Sequence, residues 1–282
     1  MPAADVEVTP DLVQALLRAQ HPDLADLSIA PLAHGWDNEL FRLGDALIVR
    51  LPRRASASAL MQNELSWLAA IAPHCSLPVP VPHRHGAPTA RYPYVWSIVP
   101  YLPGRAVGDA MLDAEAARVL GAFVRRLHVP APAGAPRNPL RGVPLAERQA
   151  RFDTAIATLA DRVDAARMRD AWERCLAAPA WTGAPVWLHG DLHPFNVLWD
   201  GRAVCGVIDF GDLAAGDPAV DLAVAFMAFA ETERQVFLDA SGADPPTIVR
   251  GRGWAIALGS LFAASEDPVL AKLGMRALTN AS

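Results

Sequence analysis

The sequence predicts an α+β protein of two lobes. The first is small and β-rich around one main helix; the second is larger and mostly helical. Three observations predict this. Residues 28–52, SIAPLAHGWDNELFRLGDALIVRLP, alternate short apolar runs with Gly and Asp, the texture of strands joined by tight turns. From Asp113 onward apolar residues recur at helical spacing, with one strand-and-loop insert over 185–211. Between these regions the apolar stretch YPYVWSIVPYLPG runs into Pro103-Gly104, which breaks the chain. A boundary there gives expected lobes of 1–100 and 101–282, and 282 residues suffice for two cores.

In chain order, PDLVQALLRAQ (10–20) reads as a short amphipathic helix with Asp11 near its start. Gly44-Asp45 is a hairpin turn before an apolar strand, Ala46 to Leu51. Residues 57–72, ASALMQNELSWLAAIA, have helical period. Residues 78–90 are rich in Pro and His, and WSIVP is a buried strand. DAEAARVLGAFVRRLHV is a helix capped by Asp113, whose carboxylate can accept the free N–H groups of the first turn. Residues 129–144 are Pro-rich and irregular, and 145–178 are helical. Helices return from 217 to the end.

Composition excludes several classes. Net charge is −5 with no basic block, so nucleic acid is not an expected partner, since phosphate contacts need clustered Lys and Arg. The apolar runs, LAVAFMAFA among them, fall short of the roughly eighteen residues that span a bilayer. The start of the chain shows no basic region followed by an apolar one, so no secretory signal is expected. Cys75, Cys175 and Cys205 are scattered and odd in number, which fits a reducing cytoplasm rather than a disulfide framework. No heptads or long apolar stripe call for a partner, so a monomer is expected. Lys272 is the only lysine, so work usually done by lysine falls to arginine.

The densest chemistry lies in HGDLHPFNVLWD, 189–200. His189 and His193 have a spacing that suits zinc on a helix, but Gly190 and Pro194 argue against a helix, and no third ligand follows at a suitable distance. The alternative spacing is His189, Asp191, Asn196, the H-x-D-x-x-x-x-N of a kinase catalytic loop. There the Asp accepts the proton of an attacking hydroxyl and the Asn binds magnesium. Asp200-Gly201, flanked by apolar strands, then folds the chain back and brings Asp209 of Asp209-Phe210-Gly211 towards Asn196. One ribbon thus offers a base and two hard oxygen ligands, which suits magnesium.

The whole segment HGDLHPFNVLWDGRAVCGVIDFGDLAAGDPAVDLA, 189–223, closely resembles the aminoglycoside phosphotransferase family, and the likeness continues more weakly over most of the chain from about residue 30. The resemblance implies a bilobal protein-kinase-like fold. It implies Asp191 as catalytic base, Asn196 and Asp209 as magnesium ligands, and Asp221 as a brace on the catalytic-loop backbone, with His189 structural. His193 is expected to pack the loop rather than touch substrate. In the first lobe the loop from His34 to Asn38, with Gly35, would cover the phosphates of ATP or GTP. Arg50 stands where protein kinases carry a lysine and would hold phosphate oxygens, with Glu64 as its partner and Arg53 and Arg54 as competitors. Adenine recognition would use backbone groups of the lobe-joining strand. Pro100 has no N–H, which leaves Val99 and Tyr101 as candidates.

The acceptor would be a small-molecule hydroxyl. Between Asp212 and Ser282 nine acidic residues face five basic ones, a mild excess of the sign that attracts a polycationic antibiotic. An aminoglycoside is the first expectation. A macrolide, a nucleoside antibiotic, or a metabolic sugar or amino alcohol is the alternative, and a nucleotide-binding module without catalysis a more distant one. Two features count against a protein substrate: no A-P-E follows D-F-G, and Gly190 stands in place of the arginine that reads an activation-loop phosphate.

Overall fold

The computed structural model describes residues 3–282. The chain divides into two units, one comprising residues up to Pro73 and Val79–Leu102, the other His74–Pro78 and Pro103–Ser282. His74–Pro78 was not expected to leave the first lobe; it joins the second unit, where the Pro78 carbonyl accepts the Val207 N–H at 3.0 Å.

In the first unit, helix α1 (Pro10–Gln20) starts where the Thr9 hydroxyl accepts the Leu12 N–H and Pro10 supplies a first helical residue that needs no donor. Its face Leu12, Val13, Leu16 and Leu17 is buried. At about 1.5–3 kcal/mol per buried side chain, that face outweighs the intrinsic propensity of so short a helix. Strands β1 (Ile29–His34), β2 (Asn38–Leu43) and β3 (Leu47–Pro52) follow. The β2–β3 hairpin turns at Gly44, whose φ of +55° is the left-handed conformation that the turn requires. After α2 (Ala55–Ile71), β4 (Arg84–Gly86) and β5 (Trp96–Pro100) complete an antiparallel sheet of order β1-β2-β3-β5-β4. Phe41, Leu43, Val49, Leu51, Tyr92, Trp96 and Ile98 meet α1 in one apolar core. Strand β4 is three residues long with no apolar alternation, so the Pro/His-rich reading of 78–90 did not reveal it.

The second unit opens with β6 (Arg105–Ala106) and α3 (Ala114–Leu127). Asp113 caps α3 as expected, its carboxylate accepting the Ala116 N–H at 2.8 Å. The expected helix over 145–178 is broken into α4 (Gln149–Thr158) and α5 (Ala165–Leu176), because Asp164 starts a new helix by accepting the Arg167 N–H. Strand β7 (Val186–Leu188) leads into the catalytic-loop segment, and β8 (Val197–Trp199) and β9 (Val204–Val207) form the expected hairpin. Asp200 shapes its turn by accepting the N–H groups of Arg202 and Ala203. Strand β10 (Ala214–Gly216) pairs with β7. Helices α6 (Val224–Ala228), α7 (Glu231–Ser241), α8 (Pro245–Ala263) and α9 (Pro268–Ala281) follow, with Trp254, Phe229 and Phe237 fully buried. No described helix is long and apolar enough to cross a membrane.

Candidate active site

Strand β7 delivers the chain to Gly190, which turns at φ +84°. A Cβ there would lie 2.4 Å from the Asp212 carbonyl oxygen, so both conformation and space demand glycine. Asp221, fully buried, accepts the His189 N–H at 2.9 Å on one carboxylate oxygen and the Gly190 N–H at 2.8 Å on the other. It also meets His128 Nε2 at 3.0 Å. Burial alone would raise the Asp221 carboxyl; His128, His189 and the Gly190 N–H outweigh it and hold the group below its ordinary value. With its proton on Nε2, the His189 ring donates to the Ile208 carbonyl at 3.0 Å while Nδ1 accepts the Asp191 N–H at 3.2 Å. The ring also packs on Phe210. His189 therefore ties the start of the loop to the end of the hairpin.

The loop then turns through Pro194–Asn196, and Ile208 N–H donates to the Asn196 carbonyl at 2.9 Å. That bond brings the Asp209 and Asn196 backbones together, as the hairpin reading required. Asn196 Nδ2 donates to the Asp191 carbonyl at 2.9 Å, so its Oδ1 is the pole left for a hard cation. Asp209 takes φ +66°, the only described non-glycine residue in the left-handed region.

Asp191 is held from both sides. Arg141 Nη2 donates to Oδ1 at 2.9 Å, and His193 Nε2 lies 3.3 Å from Oδ2. Burial would raise this carboxyl, but His193, Arg141 and His189 prevail and keep it below the usual carboxylate range. Arg141 is also 3.8 Å from Asp212, which accepts the Asn138 Nδ2 at 2.6 Å. Burial, with Asp191 and Asp209 as like charges, pushes the Asp212 carboxyl up despite Arg141. His193 packs edge-on against Phe262 of α8 at 5.2 Å, a loop-packing contact, yet it touches Asp191 as well. Arg141, Asn138 and His128 were not anticipated. Their only signal in the sequence is the presence of polar residues in the Pro-rich stretch and at the end of α3.

The first unit holds the other expected residues. Arg50 pairs with Glu64 of α2, both buried. The competitors are engaged elsewhere, Arg53 with Glu39 at 3.2 Å and Arg54 with Asp37. Gly35 closes a tight turn, its N–H donating to the Asn38 carbonyl at 2.9 Å, and its own carbonyl accepts Arg53 Nη1 at 3.2 Å. The two expected backbone donors need correction. Tyr101 N–H donates to the Ala46 carbonyl at 2.8 Å. Antiparallel pairs alternate, so Val99, two residues earlier and opposite Ile48, also spends its N–H on β3. Among the described residues, the Pro100 carbonyl and the Leu102 N–H face away from β3.

Comparison with known proteins places this geometry. The profile of the phosphotransferase enzyme family matches residues 28–254, which covers the hairpins of the first unit and the whole catalytic-loop segment. The chain belongs to the phosphotransferase enzyme family. This phosphotransferase is 29% identical over 246 residues to the homoserine kinase of Acidiphilium cryptum (strain JF-5), covering 80% of the chain and 72% of the relative. Among solved structures it resembles the GDP complex of aminoglycoside 2'-phosphotransferase-IIIa, with a TM-score of 0.68 at 18% identity over 95% of this chain and 97% of that one. It also resembles apo macrolide 2'-phosphotransferase MphH from Brachybacterium faecium, with a TM-score of 0.63 at 25% identity over 94% and 98%.

In the phosphotransferase, no three His, Cys, Asp or Glu side chains among the described residues surround one point as metal ligands. The zinc reading of His189 and His193 therefore has no third donor. A magnesium ion makes a different demand, one or two protein oxygens completed by phosphate and water. Asn196 and Asp209, brought together by the Ile208–Asn196 bond, are of the residue types that could meet it.

Proposed function

We propose that this phosphotransferase moves the γ-phosphoryl group of ATP, or of GTP, to a hydroxyl of a small molecule. The observation that carries the reading is the single frame formed by Asp191, Asn196 and Asp209, fixed by Asp221 and by the Ile208–Asn196 bond. The acceptor oxygen bonds to the γ-phosphorus as the bond from that phosphorus to the β,γ-bridging oxygen breaks. The hydroxyl proton passes to Asp191 and then to water. Because Asp191 is held below the usual carboxylate range, it stays ionised and acts chiefly by orienting the hydroxyl, with proton transfer late. Asn196 and Asp209 would hold magnesium, which neutralises charge on the phosphates. Arg50, fixed by Glu64, would hold α- and β-phosphate oxygens, the Gly35 turn would lie over the phosphates, and the Pro100 carbonyl and Leu102 N–H would receive the base of the nucleotide. The nucleotide in the aminoglycoside 2'-phosphotransferase complex is GDP, which supports trying GTP beside ATP.

The relatives support two acceptor classes. One is an antibiotic hydroxyl, aminoglycoside-type first, whose phosphorylation would confer resistance. The other is a metabolic amino alcohol such as homoserine. The charged group against Asp191 is an arginine, which favours the second over a polycation. The test is an acceptor screen with ATP and GTP, reading nucleoside diphosphate release for aminoglycosides, macrolides, nucleoside antibiotics and amino alcohols. Magnesium-dependent release that Asp191→Ala abolishes, with nucleotide binding retained, supports the reading. Full turnover in Asp191→Ala removes Asp191 as base, and magnesium-independent release removes the metal assignment.

A further inference from the structure

A cavity of about 580 Å³, bounded by the Pro-rich stretch, the end of α5, Trp181 and the β10 turn, is lined by Arg141, the residue that bonds to Asp191. Its charged lining residues are Arg137, Arg141, Arg250, Glu147 and Asp217. Arg250 and Asp217 neutralise each other through two hydrogen bonds, at 2.7 and 3.1 Å. What remains is Arg137 and Arg141 against Glu147. Arg137 is exposed at the rim. Arg141 has its side chain only 11% exposed and is the wall between cavity and base. Its guanidinium carries five N–H donors, yet Nη2 alone makes a strong bond, to Asp191. Nη1 reaches the Leu140 carbonyl only at 3.4 Å, and the buried Nε has no partner. A buried guanidinium with unspent donors is costly unless an acceptor arrives. Burial disfavours its charge, but Asp191 and Asp212 keep it firmly protonated.

We propose that this cavity is the acceptor's subsite, and that Arg137 and Arg141 read a carboxylate or similar anionic group on it. The acceptor class is then hydroxylated acids, amino-acid alcohols included, rather than polycations. The inference rests on the phosphotransfer reading, with Asp191 facing the hydroxyl. Arg141 links the two ends of such an acceptor. It binds the anionic group through Nη1, whose present bond to the Leu140 carbonyl is long, while Nη2 holds the base, so a filled cavity and an aligned Asp191 go together. Planar, bidentate recognition of a carboxylate is what arginine does and lysine does not.

Matched acceptors that differ only in the carboxylate test it: L-homoserine against aminopropanol and L-serine against ethanolamine, with kanamycin as polycation. Calorimetric binding to the nucleotide-loaded protein and diphosphate release are both read. The expected result is at least tenfold tighter binding and higher kcat/KM for one acid over its decarboxylated partner. Arg137→Gln is expected to raise KM for the acid about tenfold while kcat holds, and Arg141→Gln to lower both affinity and kcat. Arg137→Gln alters an exposed side chain and keeps the test valid should Arg141→Gln fold poorly. Equal binding of acid and partner, absence of binding by either acid, tighter binding of kanamycin, or an unchanged Arg137→Gln profile each overturns the proposal. Failure of the phosphotransfer reading looks different: Asp191→Ala then keeps its turnover whichever acceptor binds.

Discussion

Asp221 and Gly190 are joined by a buried hydrogen bond of 2.8 Å in which the carboxylate accepts the backbone N–H of the residue just before Asp191. The other carboxylate oxygen holds His189 N–H, so one side chain sets the direction in which Asp191 leaves β7. Asp221→Ala strands two buried donors and is expected to cost about 2–5 kcal/mol. Urea unfolding would show a lower midpoint, and kcat would fall with KM for nucleotide little changed.

The same carboxylate sets an acid limit. Its pKa in the folded chain lies below the unfolded value, so it contributes stability that is present above the unfolded carboxylate range, around pH 4, and is lost as pH falls through the folded value. Denaturant titrations between pH 6 and about pH 3 should therefore fall more steeply for the natural chain than for Asp221→Asn, which has no proton to gain there.

Gly190→Ala places a Cβ against the Asp212 carbonyl oxygen in a backbone conformation that alanine rarely adopts. The expected cost is about 2–4 kcal/mol, read as a shift in thermal midpoint, with loss of turnover because Asp191 is displaced.

Breaking the Arg50–Glu64 pair from one side leaves a buried charge uncompensated. Arg50→Met should destabilise by about 3–5 kcal/mol. Adding Glu64→Leu should restore much of that stability without restoring ATP affinity. Recovery of both would show the pair to be purely structural.

Asp209→Asn keeps the shape of a hard ligand and removes its negative charge. The magnesium concentration for half-maximal turnover should rise about tenfold or more. Stripping divalent ions with a chelator should stop phosphoryl transfer in the natural chain and recover it on adding magnesium back.

The fold-back of residues 189–209 could be read from the sequence because it is local. His189 to Asp209 is one hairpin whose turn residues, Asp200 and Gly201, declare the fold-back that joins Asn196 to Ile208. Helix caps such as Asp113 were legible for the same reason. The rest depends on long-range placement. Arg141 meets Asp191 across 50 positions and His128 meets Asp221 across 93, with no periodicity to announce either. Val99 and Tyr101 looked available as donors because strand register, which decides whose N–H faces the neighbouring strand, is set by pairing with β3 and not by the residues of β5 themselves.

Asn138 and Arg141 reach the corner of Asp212 and Asp191 from a proline-rich stretch that contributes nothing to the hairpin itself. The hairpin and the polar side chains that surround Asp191 and Asp212 are thus written in separate passages of the gene. Exchanging residues 129–144 between relatives would therefore change the groups that meet Asp191 and Asp212 while leaving the residues of the hairpin as they are.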